Sequence, residues 1–235
     1  MEFNSLIFPK PKQSYTKEDH KGELIWIPRK EIFTYRDKLK YTSYRSFIKN
    51  SQERRPSLQL NKNTYIQKIP IISFSIENKF KEEVKEIDYI PCLYLRMTEL
   101  KSNKIIIYFH ANYEDLGQTR QIALSIQKYL KLNVLCVEYP GYGIYKSFDS
   151  CSCEKVIKDA ECVYNFLTNI MSISEDNIII MGRCIGSGPA TYLASRFKPY
   201  SLILISPFVS IKGAVNSLFD KVKMGWLFEK LVKQR

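Results

Sequence analysis

The chain has 235 residues, of which 45% are hydrophobic, and its formal net charge is +12. A chain of this length and composition can bury one sizeable core, so we do not predict a second full domain. The apolar runs are too short to cross a membrane, so any predicted membrane contact is peripheral. We therefore predict a single domain over residues 1–235.

Most of the excess positive charge lies in one segment after the first predicted strand. Residues 29–69 hold eleven Lys or Arg residues against three acidic residues, and their apolar residues follow no sustained period. This composition predicts a basic, mobile insertion, although residues 71–76 could add a strand. A second basic segment, residues 214–235, has the pattern of an amphipathic helix.

Short β-rich runs and helical patterns alternate along the rest of the chain. The predicted strands cover residues 23–27, 90–97, 104–109, 134–137, 177–181 and 202–205, and the predicted helices cover 116–130, 154–170 and 189–196. This alternation predicts an α/β fold with a mostly parallel sheet and helices on both faces. On the first helix, the predicted buried face carries Ile122, Ile126, Tyr129 and Leu130. Ligands of such sheets bind where the strands end at their carboxyl side.

The fifth predicted strand runs into Gly182-Arg183-Cys184-Ile185-Gly186, a Gly-x-Cys-x-Gly turn, and a helix follows. Strand, turn and helix in this order are typical of a nucleophile elbow, with cysteine where serine is usual. Glycines on both sides let the chain reverse sharply and lift the residue between them above the sheet. Cys184 is therefore the predicted catalytic nucleophile position, and acyl transfer is the predicted chemistry.

The chain has six cysteines, at positions 92, 136, 151, 153, 162 and 184. With no N-terminal signal peptide evident, we expect reduced thiols and a cytoplasmic protein. Cys92 and Cys136 lie in apolar strand runs and are predicted core residues. The remaining spacings do not suit a tetrahedral metal site, and residues 182–188 lack the spacing of a dinucleotide loop. We expect neither a metal nor a cofactor.

Four motifs in this order carry a family resemblance: residues 110–117, 137–143, 182–190 and 206–208. Over residues 4–211 the sequence resembles the α/β-hydrolase superfamily, specifically the serine-aminopeptidase-like branch that includes protein depalmitoylases. The resemblance implies an acyl-ester or thioester hydrolase of the serine-hydrolase type, acting on a small molecule or an acylated protein. It also implies an oxyanion hole made by the backbone N–H groups of Asn112 and Ile185, with His110 and Tyr139 supporting the pocket.

The sequence departs from the family pattern in three places. Cys184 replaces the elbow serine, and this change need not abolish catalysis because a thiolate is also a competent acyl nucleophile. Ala111 stands where relatives have glycine, and its β-carbon is expected to move the Asn112 N–H group. The 51 residues after Cys184 contain no histidine. We therefore expect the fold to lack its last strands and the catalytic triad to be incomplete in this chain.

The chain contains two histidines, His20 and His110, so His110 is the alternative candidate for the base that would activate Cys184. The competing interpretation gives His110 a structural role in shaping the oxyanion loop. Two charged residues within these motifs, Asp115 and Arg183, are predicted to have structural roles. Asp115 is predicted to cap the helix that follows it, and Arg183 is predicted to form an ion pair.

Three hypotheses about function remain open at this point. The first is a hydrolase acting through Cys184, and the second is a pseudoenzyme that binds a partner or a lipid without catalysis. The third is an adaptor whose basic segments, 29–69 and 214–235, contact an anionic membrane surface or RNA. Among partners we expect an ester or thioester and peripheral contact with anionic membranes, and we do not expect nucleic acid.

Overall fold

A computed structural model describes residues 7–20, 22–29, 89–98, 102–146, 151–210 and 213. The predicted basic insertion, apart from Arg29, lies outside these residues. So do the possible strand at 71–76 and the predicted helix at 214–235, so the adaptor hypothesis and the prediction of one domain over the whole chain are not tested. None of the described helices is long and apolar enough to cross a membrane.

The described residues build one six-stranded sheet in the order β1-β2-β4-β3-β5-β6. The strands are β1 Leu24–Pro28, β2 Tyr89–Leu95, β3 Ile105–Phe109, β4 Asn133–Val137, β5 Ile178–Arg183 and β6 Ser201–Ile205. The β4-β3, β3-β5 and β5-β6 pairs are parallel, and β1-β2 and β2-β4 are antiparallel. The predicted mostly parallel sheet is confirmed, and β3 lies beside β5.

Among the described residues, three α-helices cover the two faces of the sheet, as predicted. They are α1 Leu116–Leu130, α2 Cys153–Asn165 and α3 Ser187–Arg196, and α2 continues into a π-helical turn, Phe166–Ile170. Helix α1 packs on one apolar cluster, and α2 and α3 contribute to the cluster on the opposite face. The strands between them are buried on both sides, which is why β3 consists of five apolar or aromatic residues.

The buried face of α1 matches the predicted one in part, because Ile122 and Ile126 are partly buried against the apolar cluster. Leu116, Thr119 and Ala123 are its buried residues, whereas Tyr129 and Leu130 are 80% and 48% exposed. The last turn of the helix therefore extends beyond the cover of the sheet, and Lys131 ends the helix in the left-handed conformation with φ 57°. The prediction that Tyr129 and Leu130 face the core is wrong.

Candidate active site

The predicted elbow lies where β5 meets α3. Strand β5 ends at Arg183, a short 3₁₀ turn spans Cys184–Gly186, and α3 begins at Ser187. Cys184 has a φ of +52°, in the left-handed region that side chains with a β-carbon rarely occupy. Its side chain is neither fully buried nor fully exposed, and Ser187 Oγ donates a 2.6 Å hydrogen bond to its carbonyl oxygen. The strained backbone therefore belongs to the nucleophile position itself.

The two glycines of the elbow are required by close backbone approach. A β-carbon on Gly186 would overlap the Phe109 carbonyl and lie 2.9 Å from the His110 carbonyl oxygen. A β-carbon on Gly182 would overlap the Gly186 carbonyl and lie 2.7 Å from the β-carbon of Ala190. Gly186 thus lets the elbow rest directly against the end of β3, where the His110 loop begins.

Substituting Gly186 by alanine should destabilise the fold, because the neighbouring atoms are backbone and cannot move aside. We expect a loss of at least about 1–3 kcal/mol in the free energy of unfolding, measured by urea denaturation. Gly188 is the matched control, because a β-carbon there would meet no atom within 4 Å. Gly188→Ala should be neutral or stabilising by roughly 0.4–1 kcal/mol. Equal stability of the two variants would contradict the close approach.

The loop after β3 has one backbone N–H group with no hydrogen-bond acceptor among the described residues. The side chain of Asn112 donates to the Ile7 carbonyl at 3.2 Å, and its own carbonyl accepts from Tyr142 Oη at 3.0 Å. The Asn112 N–H group, like that of Ile185, makes no hydrogen bond to any described residue. By contrast, the Ala111 N–H group donates to Glu114 Oε2 at 3.4 Å. Asn112 is held at two points while its N–H group stays available.

His110 is fully buried below this loop. Its Nδ1 atom lies 2.9 Å from the Ala111 carbonyl oxygen, and its Nε2 atom lies 3.1 Å from Glu138 Oε1. Tyr139 stacks on the imidazole with ring centroids 4.1 Å apart, and its hydroxyl donates to the His110 carbonyl at 2.6 Å. Both ring nitrogens therefore have oxygen partners, and neither hydrogen-bonds to the thiol of Cys184, whose surroundings the structure also describes.

Glu138 connects the loop after β3 to the turn after β4. Besides the imidazole of His110, it accepts hydrogen bonds from Tyr15 Oη at 2.8 Å, the Leu116 N–H at 3.1 Å and the Tyr139 N–H at 3.2 Å. The carboxylate is fully buried, so these donors replace the water it loses. Burial raises the pKa of Tyr15 and of Tyr139, which keeps both phenols protonated as donors.

Two of the predicted structural roles are confirmed. Asp115 caps α1 by accepting from the Gln118 N–H, while the Gln118 side chain accepts from the Asp115 N–H. Arg183 forms an ion pair with Glu114 at 2.5 Å. The N-terminal segment also reaches this loop, because the Ser14 N–H donates to the Asp115 carboxylate at 2.7 Å.

A cavity of about 300 Å³ opens beside the elbow. Its walls come from α2, from the first residues of α3 and from the segment after β6, and they include Phe8, Cys153, Val156, Ile185, Leu204 and Phe208. These side chains are mainly apolar, although Ser187 and Ser210 also line the cavity. The space therefore suits a hydrophobic group that lies beside Ile185, the residue after Cys184.

The cysteines divide into a buried set and two accessible thiols. Cys92 and Cys136 are fully buried in the sheet, as predicted, and Cys151 and Cys162 are also buried. Burial raises the pKa of Cys92, Cys136 and Cys151 above the usual value, which disfavours their thiolates. Cys153 and Cys184 are partly exposed. Burial raises the pKa of Cys153 as well.

The structure places all the predicted site residues at the carboxyl ends of three neighbouring strands. His110 and Asn112 follow β3, Tyr139 follows β4, and Cys184 and Ile185 follow β5. Sequence reasoning did not find the contacts of Tyr15 and Glu114 with this site. No spacing rule relates residue 15 to residue 138, and the Arg183 partner could not be identified from sequence alone.

Comparison with known proteins gives sequence relatives but no match to a protein-family model. The chain is 28% identical over 131 residues to Alpha/beta hydrolase domain-containing protein 17C of Xenopus laevis, covering 56% of this chain and 41% of that protein. It is 30% identical over 132 residues to an uncharacterized protein of Acanthamoeba polyphaga mimivirus, covering 52% of this chain and 44% of that protein. An esterase structure from Pyrococcus furiosus aligns with a TM-score of 0.45 at 18% identity, covering 53% of this chain and 48% of that chain.

These matches show which family the chain resembles and how much of the relatives' length it covers. The similarity to proteins named as α/β hydrolases confirms the resemblance drawn from the four motifs. The chain spans less than half the length of these curated relatives.

Proposed function

We propose, from the confirmed likeness to α/β hydrolases, that this chain takes an acyl group from an ester or thioester onto Cys184. The observation that carries the proposal is the strained backbone of Cys184, with φ +52°, at the strand-helix elbow. An N–H group without a described partner lies on the next residue, Ile185, and another on Asn112. A nucleophile and two free donors are the parts that acyl transfer requires.

In the proposed step, the thiolate sulfur of Cys184 attacks the carbonyl carbon of the substrate, and a C–S bond forms. The negative charge that develops on the carbonyl oxygen is stabilised by the N–H groups of Asn112 and Ile185. The positive end of the α3 dipole lies directly behind the elbow and adds to this field. The intermediate then expels the alcohol or thiol, which takes up the proton that Cys184 released.

The cavity supports a hydrophobic acyl group as the part of the substrate that is recognised. Its volume of about 300 Å³ lies at the lower end of the range for ligand pockets, which favours a short or medium acyl chain. The ester or thioester could be a small molecule or an acylated protein. The net charge of +12 supports a cytoplasmic protein that meets its substrate at an anionic membrane surface.

Release of the acyl group by water needs a general base, and none contacts Cys184 among the described residues. Both nitrogens of His110 are occupied, by the Ala111 carbonyl and by Glu138. The other histidine, His20, is stacked on Tyr15, with ring centroids 5.6 Å apart. The sequence from Ile185 to Arg235 contains no further histidine. We therefore propose that these 235 residues are acylated faster than they are deacylated.

The test is to mix the native chain with p-nitrophenyl butyrate and record nitrophenol release and intact protein mass together. The proposal predicts a burst of one equivalent of nitrophenol, a mass increase of one butyryl group and a slow phase afterwards. A sample in which the exposed thiols have first been alkylated is the control and should show no burst. Absence of both burst and mass increase overturns the proposal, and turnover without a burst overturns slow deacylation.

Ligand binding without catalysis is the second candidate, and the engagement of both His110 nitrogens favours it. Here the cavity would bind a fatty acid or lipid tail, and Cys184 would be dispensable. Butyrate or hexanoate should then raise the melting temperature of the wild-type chain and of Cys184→Ala equally. An unchanged melting temperature in both proteins rejects this candidate.

A further inference from the structure

We propose that Glu114 and Arg183 form a bridge that positions the Asn112 N–H group relative to the elbow. The inference rests on the proposed function, because it assigns these two residues a positioning role in acyl transfer to Cys184. Neither residue would touch the reacting atoms. Their contribution is to hold the two halves of the oxyanion hole at a fixed separation.

The bridge begins at the residue directly before the nucleophile. Arg183 Nη1 pairs with Glu114 Oε1 at 2.5 Å, and the second oxygen, Glu114 Oε2, accepts from the Ala111 N–H at 3.4 Å. Glu114 is only 5% exposed, whereas the Arg183 side chain is 29% exposed, so water screens this partly buried pair less than a fully exposed one. A single carboxylate therefore contacts both the elbow and the residue directly before Asn112.

The same guanidinium also contacts the residue directly after Asn112. Arg183 Nη2 donates to Tyr113 Oη at 2.7 Å, and the guanidinium carbon lies 5.6 Å from the centre of the Tyr113 ring. Asn112 is thus flanked on one side by Ala111, which is held through Glu114, and on the other by Tyr113. One side chain of the elbow restrains the loop on both sides of the proposed donor.

This arrangement needs arginine. The guanidinium is a planar fork with several donors and can serve a carboxylate and a phenol at once, whereas an ammonium group is a point charge on a flexible stem. Oxyanion donors act only at hydrogen-bond distance from the developing charge, and loss of one donor costs on the order of a hundred- to a thousandfold in rate. A displaced donor should lose part of that effect.

The bridge also bears on Ala111, which stands where the family pattern has glycine. The Ala111 N–H group is occupied by Glu114, and the residue is fully buried. Its backbone is therefore fixed by the same carboxylate that pairs with the elbow. The expected shift of the Asn112 N–H group caused by the extra β-carbon is opposed by this bond.

The test compares two reactions of the same thiol in wild-type protein and in Arg183→Lys. Acylation by p-nitrophenyl butyrate develops an oxyanion, whereas alkylation by iodoacetamide displaces iodide and develops none. The proposal predicts that Arg183→Lys lowers the acylation rate of Cys184 by roughly ten- to a hundredfold and leaves its alkylation rate unchanged. Tyr113→Phe, at a side chain that is 53% exposed, should lower acylation alone by a smaller factor.

The matched control is Arg196→Lys, because Arg196 also pairs with a carboxylate, Glu161, at 3.5 Å and stacks on a tyrosine, Tyr192. It lies at the far end of α3 and should change neither rate. If acylation and alkylation fall together in Arg183→Lys, the residue acts on the thiol or the fold, and the proposal is overturned. Unchanged acylation overturns it as well.

Hydrogen exchange makes the test independent of whether the wild-type chain is acylated. Arg183→Lys should increase deuterium uptake in the peptide that contains residues 110–114 and leave the peptides of β3 unchanged. If the wild-type chain is not acylated but Arg183→Lys still shows this local increase in deuterium uptake, the proposed function is rejected. The bridge is then retained as a restraint on the loop. Equal uptake in wild type and variant would overturn the bridge itself.

Discussion

Replacing Cys184 by alanine should abolish the covalent acyl adduct and leave the protein folded. The substitution removes one partly exposed sulfur atom and keeps the β-carbon, so little packing is lost. The β-carbon also means that the backbone strain at φ +52° is the same in both proteins. Intact-mass measurement after incubation with p-nitrophenyl butyrate should show no butyryl group, while the melting temperature should stay close to that of the wild type.

Cys184→Ser is the informative companion to the alanine variant. Serine has the usual elbow hydroxyl but needs a base to remove its proton, and no described residue supplies one to this position. We expect its acylation to be slower than that of the cysteine protein by on the order of a hundred- to ten-thousandfold. A serine variant that reacts as fast as wild type would contradict the absence of a base. A retained adduct in Cys184→Ala would place the reaction at another residue.

The second large effect is expected at Glu138, where glutamine should destabilise the fold strongly. Glutamine keeps the shape but replaces one carboxylate oxygen by an amide donor, whichever way the side chain lies. In the wild-type protein, Glu138 Oε1 accepts hydrogen bonds from His110 and the Tyr139 N–H. Its Oε2 atom accepts hydrogen bonds from Tyr15 and the Leu116 N–H. Losing a hydrogen bond to a buried charged acceptor costs about 1.5–3 kcal/mol, and urea denaturation will measure the loss.

Glu154→Gln is the matched control for this prediction. Glu154 makes an ion pair with Lys158 one helical turn away at 3.2 Å, but its side chain is 78% exposed. Surface pairs of this kind contribute about 0.3–0.5 kcal/mol, so the same chemical change should be almost neutral there. If Glu138→Gln is as stable as Glu154→Gln, the buried carboxylate does not hold the loops after β3 and β4 together.

The sequence was sufficient to predict the sheet because its central strands, β2 to β5, are almost entirely buried and are therefore nearly continuously apolar. The bounds of α1 were predicted residue for residue, since Asp115 marks its beginning. Its buried face was predicted only in part: Ile122 and Ile126 pack against the core, but helical periodicity identifies an apolar stripe without telling where the sheet beneath it stops. Tyr129 and Leu130 continue the stripe beyond that point and are exposed.

In the candidate site too, features formed by adjacent residues could be predicted, whereas contacts between residues far apart in the chain could not. The elbow could be recognised because its glycines and its nucleophile are adjacent in sequence. The partner of Arg183 is 69 residues away in the chain, and the partner of Tyr15 is 123 residues away. Such contacts depend on which strands become neighbours, and no motif encodes them. That the Asn112 N–H group has no partner among the described residues likewise depends on the other bonds of its loop, which the sequence does not encode.

The thiol at the elbow is proposed to receive the acyl group, and locating that group is the most direct test of this claim. The native wild-type chain would be reacted with p-nitrophenyl butyrate, digested at low pH and mapped by mass spectrometry. We predict the butyryl group on the peptide that contains Cys184, with Cys153 unmodified, although Cys153 is also partly exposed and lines the cavity beside the elbow. A butyryl group on Cys153, or spread over several cysteines and lysines, would contradict the claim.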